Sequence, residues 1–580
     1  MTVEKLITDH IDIWSSALQT RSTAGRGSNG KIDLYGIKKL RELILELAVR
    51  GKLVPQDPND EPAFELLKQI EKERNELVKR KVIRKPKALE KIAITSPPFD
   101  LPTGWEWCYL NDIGDWGAGA TPSRSKSNYY NGDIPWFKSG ELSTDFISDS
   151  EEKITQLALQ ECSLRDNKVG DVLIAMYGAN IGKTSILNVR GTTNQAVCAC
   201  TPYNGILNIY LLVLLKAYKR IFIGMGAGGA QPNISREKII ATVFALPPKA
   251  EQNRIICKVD KLMSLCDQLE QQSLTSLDAH QQLVKTLLGT LTDSTNAEEL
   301  ADNWARISQH FDTLFTTEPS IDALKQTILQ LAVMGKLVPQ DPSDEPASEL
   351  LKRIAAEKAE LVKQGKIKKQ KPLPEISEDE KPFELPNGWE WCRLPDLGEL
   401  ARGKSKHRPR NDPALYVDGK YPLVQTGDVS RSNGNIKTFT ALYNELGVEQ
   451  SRFWPKGTLC ITIAANIADS GILEFDACFP DSVVGYSPFI SEIPVKYFDF
   501  LMRTMKSSLE KYAPSTAQKN INLDILSQLF VPCPPLNEFE RVVRKVEALF
   551  SLLDQLKSRL QSAQQTQLHL ADALTDAALN

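Results

Sequence analysis

The chain has 580 residues, of which 42% are hydrophobic and 25% are charged, and its formal net charge is −3. This is the composition of an ordinary globular protein, and the length is enough for about four domains. The charge balance excludes a polycation, so any affinity for nucleic acid has to come from local clusters. No apolar run reaches about 18 residues, so we expect no membrane span.

Cysteines and histidines give no sign of metal or redox chemistry. The ten cysteines include no C-x-x-C pair, and the five histidines are scattered. We therefore expect reduced thiols, no metal site and no histidine-based catalytic centre. The N-terminus is too acidic and polar for a signal peptide, so we expect a cytoplasmic protein.

The first elements are helical. Residues 1–30 are predicted to form a short helical arm and a Gly/Ser/Arg-rich flexible joint. The segment 37–53 has apolar residues spaced for one helix face, with Gly51 as the predicted C-cap and Pro55 preventing continuation. A charged helix is predicted from Ala63 to about Val82, and it runs into a stretch with six basic residues in nine (79–87). Residues 31–98 thus form a helical region whose basic end is either a solvated linker or a phosphate-contacting strip.

Residues 99–250 are predicted to form a mixed α/β domain. Gly, Trp, Tyr and Pro become frequent, and the short apolar runs 172–176 and 242–244 are typical of buried strands. A long helix follows over about 251–291, with apolar residues at steps of three and four. It is expected to act as a spacer.

The same order then returns. Residues 47–58 (LAVRGKLVPQDP) and 331–342 (LAVMGKLVPQDP) share eleven of twelve residues at an offset of 284 (331 minus 47), and GWEWC recurs at 104–108 and 388–392 with no gap. The second copy gives a helical region (293–384), a second α/β domain (385–536) and a final long helix (537–580) with three heptads of apolar residues. The predicted fold is α+β: two mixed α/β domains separated by long antiparallel coiled-coil helices, with a pseudo-twofold internal repeat.

Two motifs resemble catalytic signatures without satisfying them. GANIGKT (178–184) has three residues between its glycines where a P-loop has four, and the second half has AANIADS (464–470) there. SPPF (96–99) resembles an amino-methyltransferase motif, but the second half reads EKPF and no glycine-rich methyl-donor turn is present. A turn that presents Lys183 to a phosphate and a linker anchored by Phe99 are the preferred interpretations.

Polar loops in the two globular domains are the candidate DNA contacts, because basic and hydroxyl side chains suit phosphates while Arg, Asn and Gln suit base edges. In the first domain we select a loop, a small-residue turn, the GANIGKT turn and the AQPN segment, with candidate residues Thr121, Ser123, Arg124, Lys126, Tyr129, Lys138, Ser139, Tyr177, Lys183, Gln231 and Asn233. In the second domain the loop RGKSKHRPRN holds five cations and a histidine, and the candidates are Arg402, Lys404, Lys406, His407, Arg408, Arg410, Asn411, Gln425, Thr426, Gln518, Lys519 and Asn520. Solvated surface runs and turn-stabilising amides are the alternatives.

The segments 104–142, 170–184 and 230–255, with their second-half counterparts, resemble the specificity subunit (HsdS) of type I restriction-modification systems. The resemblance covers essentially the whole chain, in the longer form with an N-terminal extension. It implies two target-recognition domains, each reading one half of an interrupted target in double-stranded DNA. It also implies helical regions that set the gap and bind two modification subunits, with restriction subunits joining them.

The resemblance further implies that this chain is not catalytic and binds no cofactor itself. S-adenosylmethionine, ATP and magnesium belong to the partner subunits, which methylate adenine and cut DNA. Two other hypotheses stay open from the residues alone: a methyltransferase that uses SPPF, and a coiled-coil adaptor that does not bind DNA.

Overall fold

The computed structural model describes residues 3–21, 31–92, 97–226, 232–369, 373–407, 409–512 and 520–579. The chain divides into two compact units. Unit 1 comprises Met1–Ser276 and Ala563–Asn580, and unit 2 comprises Leu277–Ser562. The C-terminal residues therefore belong with the N-terminal half of the chain.

The helices of the described residues are α1 (Val3–Thr8), α2 (Ile11–Ser16), α3 (Tyr35–Val49), α4 (Ala63–Lys79), α5 (Gln156–Glu161), α6 (Asn208–Ala217), α7 (Lys219–Gly226), α8 (Arg236–Ile240), α9 (Lys249–Asp293), α10 (Ala297–Gln309), α11 (Phe311–Leu314), α12 (Glu318–Val333), α13 (Ala347–Lys363), α14 (Leu394–Leu397), α15 (Thr426–Arg431), α16 (Glu445–Glu449), α17 (Val495–Tyr512), α18 (Leu523–Ser527) and α19 (Leu536–Leu579).

The strands are β1 (Gln19–Arg21), β2 (Lys31–Asp33), β3 (Glu106–Tyr109), β4 (Gly114–Ala118), β5 (Tyr130–Phe137), β6 (Phe146–Ile147), β7 (Lys153–Ile154), β8 (Val172–Ala175), β9 (Thr184–Leu187), β10 (Thr192–Thr193), β11 (Val197–Pro202), β12 (Val243–Leu246), β13 (Glu390–Arg393), β14 (Gly398–Arg402), β15 (Tyr421–Leu423), β16 (Gly434–Ile436), β17 (Ala441–Tyr443), β18 (Phe453–Trp454), β19 (Leu459–Thr462), β20 (Ser470–Leu473), β21 (Ala477–Cys478), β22 (Val483–Pro488) and β23 (Phe530–Cys533).

The central sheet has the same topology in both units. Its strand order is β4-β11-β8-β9-β6 in unit 1 and β14-β22-β19-β20-β16 in unit 2. In both, the strand that begins within the GWEWC segment pairs antiparallel with the strand before the long helix, as β3 with β12 and β13 with β23. The predicted fold class of two repeated mixed α/β domains with long helices is confirmed.

A smaller sheet is where the two domains diverge. Unit 1 has the order β10-β5-β7, and unit 2 has β17-β15-β21-β18. Both keep one parallel pair, β5 with β10 and β15 with β21, but unit 2 adds β18 at an edge. This sheet begins directly after the polar loops that are predicted to contact DNA, which we call the reading loops. The two domains therefore share their central sheet, which we call the frame, and differ on the side where DNA contacts are predicted.

The exact ends of the long helices could not be placed from the spacing of apolar residues. Helix α9 extends two residues beyond the predicted range of about 251–291 at each end. The helix after the QDP segment shows a correction: α4 ends at Lys79 rather than near Val82. Lys81 adopts a left-handed backbone conformation with φ of 57°, and its counterpart in the second half is Gly365 with φ of 70°. That conformation ends both helices at the same place.

Each unit encloses its own apolar core. In the first recognition domain one cluster includes Phe137 of the smaller sheet with Leu173 and Val197 of the central sheet, and a second includes Trp136 and Ile154 of the smaller sheet. In unit 2 a larger cluster joins the central sheet to α12, α17 and α19, with Tyr486, Phe498 and Val542 fully buried. Removal of such large apolar side chains from water is the main stabilising contribution to these domains.

Candidate nucleic-acid interface

Each recognition domain is joined to its long helix by a buried hydrogen-bonded clamp. In unit 1 the indole Nε1 of Trp105 donates to Oε2 of Glu251 at 2.9 Å, and Nε2 of Gln56 donates to Oε1 of the same carboxylate at 3.1 Å. Arg254, one turn along α9, pairs with Asp60 at 2.5 Å. Burial raises the pKa of the Glu251 carboxyl, which its two hydrogen-bond donors oppose. The QDP, GWEWC and PPxxExxR motifs thus meet at one point.

Unit 2 contains the same clamp. Trp389 donates to Glu538 at 3.0 Å, Gln340 donates to it at 3.2 Å, and Arg541 pairs with Asp344 at 2.5 Å. Burial raises the pKa of Glu538, as it does for Glu251. The sequence showed each motif repeated but not that they contact one another. The clamp fixes where each recognition domain begins relative to the helix within its own unit.

A glycine begins each predicted reading loop because another backbone lies against it. A Cβ on Gly119 would lie 2.1 Å from the carbonyl oxygen of Thr193, and a Cβ on Gly403 would lie 2.1 Å from that of Phe479. The two glycines are counterparts at the offset of 284. The loop is therefore held at the same place in both domains.

In the first domain, two of the predicted cations share one carboxylate. Nη1 of Arg124 donates to Glu152 at 2.7 Å, and Nζ of Lys138 donates to the same group at 2.5 Å. The Arg124 guanidinium also lies over the rings of Tyr130, at 4.7 Å, and Trp136, at 5.3 Å. The pKa of Glu152 is lowered, first by Arg124 and then by Lys138. The structure thus brings the loop and the small-residue turn together through a residue that was not predicted.

Other residues of the first loop are also engaged. The Tyr129 ring is buried, and its hydroxyl donates to Glu161 at 2.6 Å while accepting from Lys126 at 2.8 Å. Thr121 donates to Gln195. The hydroxyls of Ser123 and Ser125 lie 2.8 Å apart and are exposed. The Tyr129 ring thus anchors the loop in the core, and a DNA contact by this residue stays a prediction.

The remaining first-domain candidates converge on the GANIGKT turn. The amide of Asn180 reaches the Ser139 hydroxyl at 3.5 Å, and Tyr177 forms an isolated antiparallel bridge with Asn233. Tyr177 and Asn233 are exposed, and Lys183 is half-buried. Gln231 lies outside the described residues. Three segments that are far apart in sequence therefore form one polar face.

In the second domain the basic loop divides into two parts. Arg402, Lys404 and Lys406 are exposed, and within the described residues none of their side chains forms an ion pair. By contrast, Nε2 of His407 lies 2.7 Å from Asp412, and Arg410 pairs with Asp481 at 2.6 Å. The remaining loop residues are Asn411, which is exposed, and Arg408, which lies outside the described residues.

Gln450 supports this loop and was not predicted. Its Oε1 accepts the backbone N–H of His407 at 2.8 Å, and its backbone carbonyl accepts that of Lys406 at 3.3 Å. The residue is 8% exposed, so these two bonds hold the centre of the loop from beneath. No sequence pattern distinguishes this glutamine from its polar neighbours.

The other second-domain candidates repeat the arrangement of the first. Gln425 precedes α15, where Asp428 accepts its backbone N–H at 2.9 Å, and Thr426 begins that helix. Asn466 reaches the Ser430 hydroxyl at 2.8 Å, as Asn180 reaches Ser139. Asn520 bridges to Ala464, the counterpart of the Tyr177–Asn233 bridge. Gln518 and Lys519 lie outside the described residues.

The glycines of GANIGKT have a conformational role. Gly178 and Gly182 have φ of 63° and 78°, and the second half takes the same left-handed conformations at Ala465 and Ala468, with φ of 66° and 61°. Lys183 follows the turn in the first half, whereas Asp469 occupies this place in the second and pairs with Lys506 at 2.5 Å. The repeated feature is the bend, and a lysine at its end is particular to the first domain.

No group of three or more His, Cys, Asp or Glu side chains that could hold a metal ion occurs within the described residues. None of the described helices is long and apolar enough to cross a membrane.

The sequence model described as the type I restriction modification DNA specificity domain matches the chain twice, at residues 102–279 and 386–565. The specificity subunit of the type I restriction enzyme EcoEI of Escherichia coli is 47% identical, and that of EcoAI of the same species is 44% identical; each alignment covers 100% of both chains. The crystal structure of the HsdS subunit from Thermoanaerobacter tengcongensis is 16% identical, with 83% of this chain and 98% of that chain covered and a TM-score of 0.40. The chain therefore belongs to the family of type I restriction enzyme specificity subunits, with two DNA specificity domains.

Proposed function

We propose that this chain reads an asymmetric, bipartite DNA target, with one recognition domain for each half-site. The observation that carries the proposal is the contrast between frame and loops. The clamp, the glycine at the loop start and the central sheet are the same in both units, whereas the polar loops on them differ in length, charge and partners. Two copies of one frame with two different surfaces suit two different half-sites.

The chemistry of the polar face supports a division of labour. Exposed cations such as Arg402, Lys404 and Lys406 suit phosphate contacts, which set affinity and register on the duplex. Amide side chains such as Asn233 and Asn520 can donate and accept together, as reading of adenine in the major groove requires. Each domain would enter the major groove, where all four base pairs are distinguishable.

The chain would act as a scaffold without catalysis of its own. The repeated helical regions would hold two modification subunits, and restriction subunits would join that complex. S-adenosylmethionine, ATP and magnesium would be bound by those partners, in the bacterial cytoplasm where the DNA lies. The target adenine would leave the stack to reach a partner's pocket, which costs a few kcal/mol, and binding by this chain would offset part of that cost.

Methyl transfer provides the test. The purified chain is incubated with duplex DNA and labelled S-adenosylmethionine, alone and with its modification subunits. We expect label in DNA only when both are present. Label with the chain alone would favour a methyltransferase, and no label in either case, with no DNA binding by the assembled complex, would favour an adaptor that does not act on DNA.

A further inference from the structure

Domain 1 presents its cations differently from domain 2. Arg124 and Lys138 both bond to the carboxylate of Glu152, whose side chain is 32% exposed. Arg402, Lys404 and Lys406 in domain 2 are without ion pairs among the described residues. The two reading surfaces therefore differ in how much free positive charge they offer to a DNA backbone.

The position of Glu152 is fixed by the smaller sheet of domain 1. It directly precedes β7, and its backbone carbonyl accepts the N–H of Trp136 in β5 at 3.0 Å. Trp136 is 2% exposed, and its ring lies beneath both the Arg124 guanidinium and the Lys138 ammonium, at 5.3 and 5.9 Å. The carboxylate thus lies between two cations on a rigid aromatic base, rather than at the end of a loose loop.

A carboxylate at this place has opposite effects on two kinds of contact. It repels phosphate and reduces the net charge of the cluster, so it weakens binding that depends on charge alone. A base edge that offers paired acceptors, such as guanine, can take over the Arg124 hydrogen bonds with their geometry intact. The carboxylate repels a phosphate anion but does not repel a neutral base edge, so it penalises non-specific contacts more than contacts with the right base.

We propose that Glu152 is a specificity-determining, positioning residue of domain 1, which holds Arg124 and Lys138 away from non-specific phosphate contacts until a base edge replaces it. This inference rests on the proposed function, since it assigns a role within DNA reading. It names a residue outside the loop candidates and predicts that domain 1 contributes discrimination while domain 2 contributes most of the salt-dependent attraction.

The test uses the full chain assembled with its modification subunits. The affinity of the complex is measured for two duplexes of equal length and composition. One duplex contains the target sequence, which is first identified by mapping methylated adenines, and the other contains the same bases in scrambled order. The variants are Glu152→Gln and Glu152→Ser, which remove the charge, Glu152→Asp, which keeps it, and the control Asp166→Asn. Asp166 is the acid of another exposed arginine pair of the same domain, with Arg190 at 2.8 Å.

We expect Glu152→Gln and Glu152→Ser to tighten binding of the scrambled duplex about fivefold at low salt, as one added close charge contact would. The slope of log affinity against log salt should steepen by about one. Glu152→Asp should keep the low affinity for the scrambled duplex, and Asp166→Asn should leave the ratio of the two affinities unchanged.

Weaker or unchanged binding of the scrambled duplex by both charge-removing variants would overturn the proposal, because a merely structural role for Glu152 predicts loss rather than gain. An equal gain with Asp166→Asn would overturn it as well. These outcomes differ from failure of the proposed function, in which the unaltered complex itself would not distinguish the two duplexes.

Discussion

Trp105 donates its indole N–H to the Glu251 carboxylate at 2.9 Å, from the start of the first recognition domain to the start of the long helix. Trp389 makes the same bond to Glu538 at 3.0 Å. These two hydrogen bonds explain why the GWEWC and PPxxExxR motifs occur together in each half of the sequence. Each pair joins a recognition domain to its long helix, and none of the four residues lies in a reading loop.

Loss of the indole donor should destabilise unit 1. Trp105→Phe keeps one aromatic ring but leaves a buried carboxylate oxygen without its partner, which costs about 1–3 kcal/mol. The smaller ring also leaves a gap at a buried position, which adds to the loss. Chemical denaturation, monitored by the circular dichroism of the backbone rather than by tryptophan fluorescence, should show a lower midpoint. Trp389→Phe should behave alike in unit 2. Trp304→Phe is the control, because this residue is 37% exposed, and it should change the midpoint little. An equal loss of stability in this control would show that the clamp is not the cause of the destabilisation.

The clamp should also make the free energy of unfolding depend on pH. Burial raises the pKa of Glu251 in the folded chain above its ordinary value near 4.5. The resulting contribution to stability is present below that ordinary value and is lost as pH rises through the raised pKa. Glu251→Gln keeps an acceptor for Trp105 and has no such dependence. The free energy of unfolding of the unaltered chain, minus that of the variant, should therefore fall as pH rises above about 4.5. A rise with pH would contradict the burial argument.

A methyl group at the start of a reading loop should displace it. Gly403→Ala places a Cβ about 2 Å from the Phe479 carbonyl oxygen, and a backbone carbonyl cannot rotate away as a side chain can. We expect a destabilisation of about 1–3 kcal/mol and weaker DNA binding, measured by thermal melting and by filter binding. Gly140→Ala is the matched control for thermal melting, because nothing lies within 4 Å of a Cβ there; an equal loss of stability at both glycines would show that packing against the loop is not the reason.

The two parts of the second basic loop should contribute unequally. Substitution of Arg402, Lys404 and Lys406 by Ala removes three cations that have no ion pair within the described residues, so the salt slope of DNA binding should fall by about two to three. Arg410→Ala should reduce it by less than one, because Arg410 already pairs with Asp481. Titration of binding against salt measures both. A larger loss of slope from Arg410→Ala than from the triple variant would reverse this assignment.

The architecture could be predicted from the sequence because it depends on repeated, closely spaced signals. Gly51 follows the end of α3 with φ of 68°, as expected for the predicted cap, and the apolar runs at 172–176 and 242–244 overlap strands β8 (Val172–Ala175) and β12 (Val243–Leu246). Such features need only local spacing and backbone chemistry. The offset of 284 then carries them to the second half.

Contacts between distant side chains could not be predicted in the same way. Glu152 is one of many acidic residues in the sequence, and the pairing of β5 with β7 brings it beside Arg124 and Lys138. The same folding buries Tyr129, which the sequence offered as a DNA contact. A basic loop in sequence therefore overstates the free charge in the first domain and describes it better in the second.

The most direct test of the central claim maps methylated adenines across the genome with the unaltered chain, and again after residues 99–250 are exchanged for the matching domain of a relative. We expect an interrupted, asymmetric motif, of which one half alone changes after the exchange while the other half stays the same. A continuous motif, or a change in both halves, would contradict the assignment of one recognition domain to each half-site.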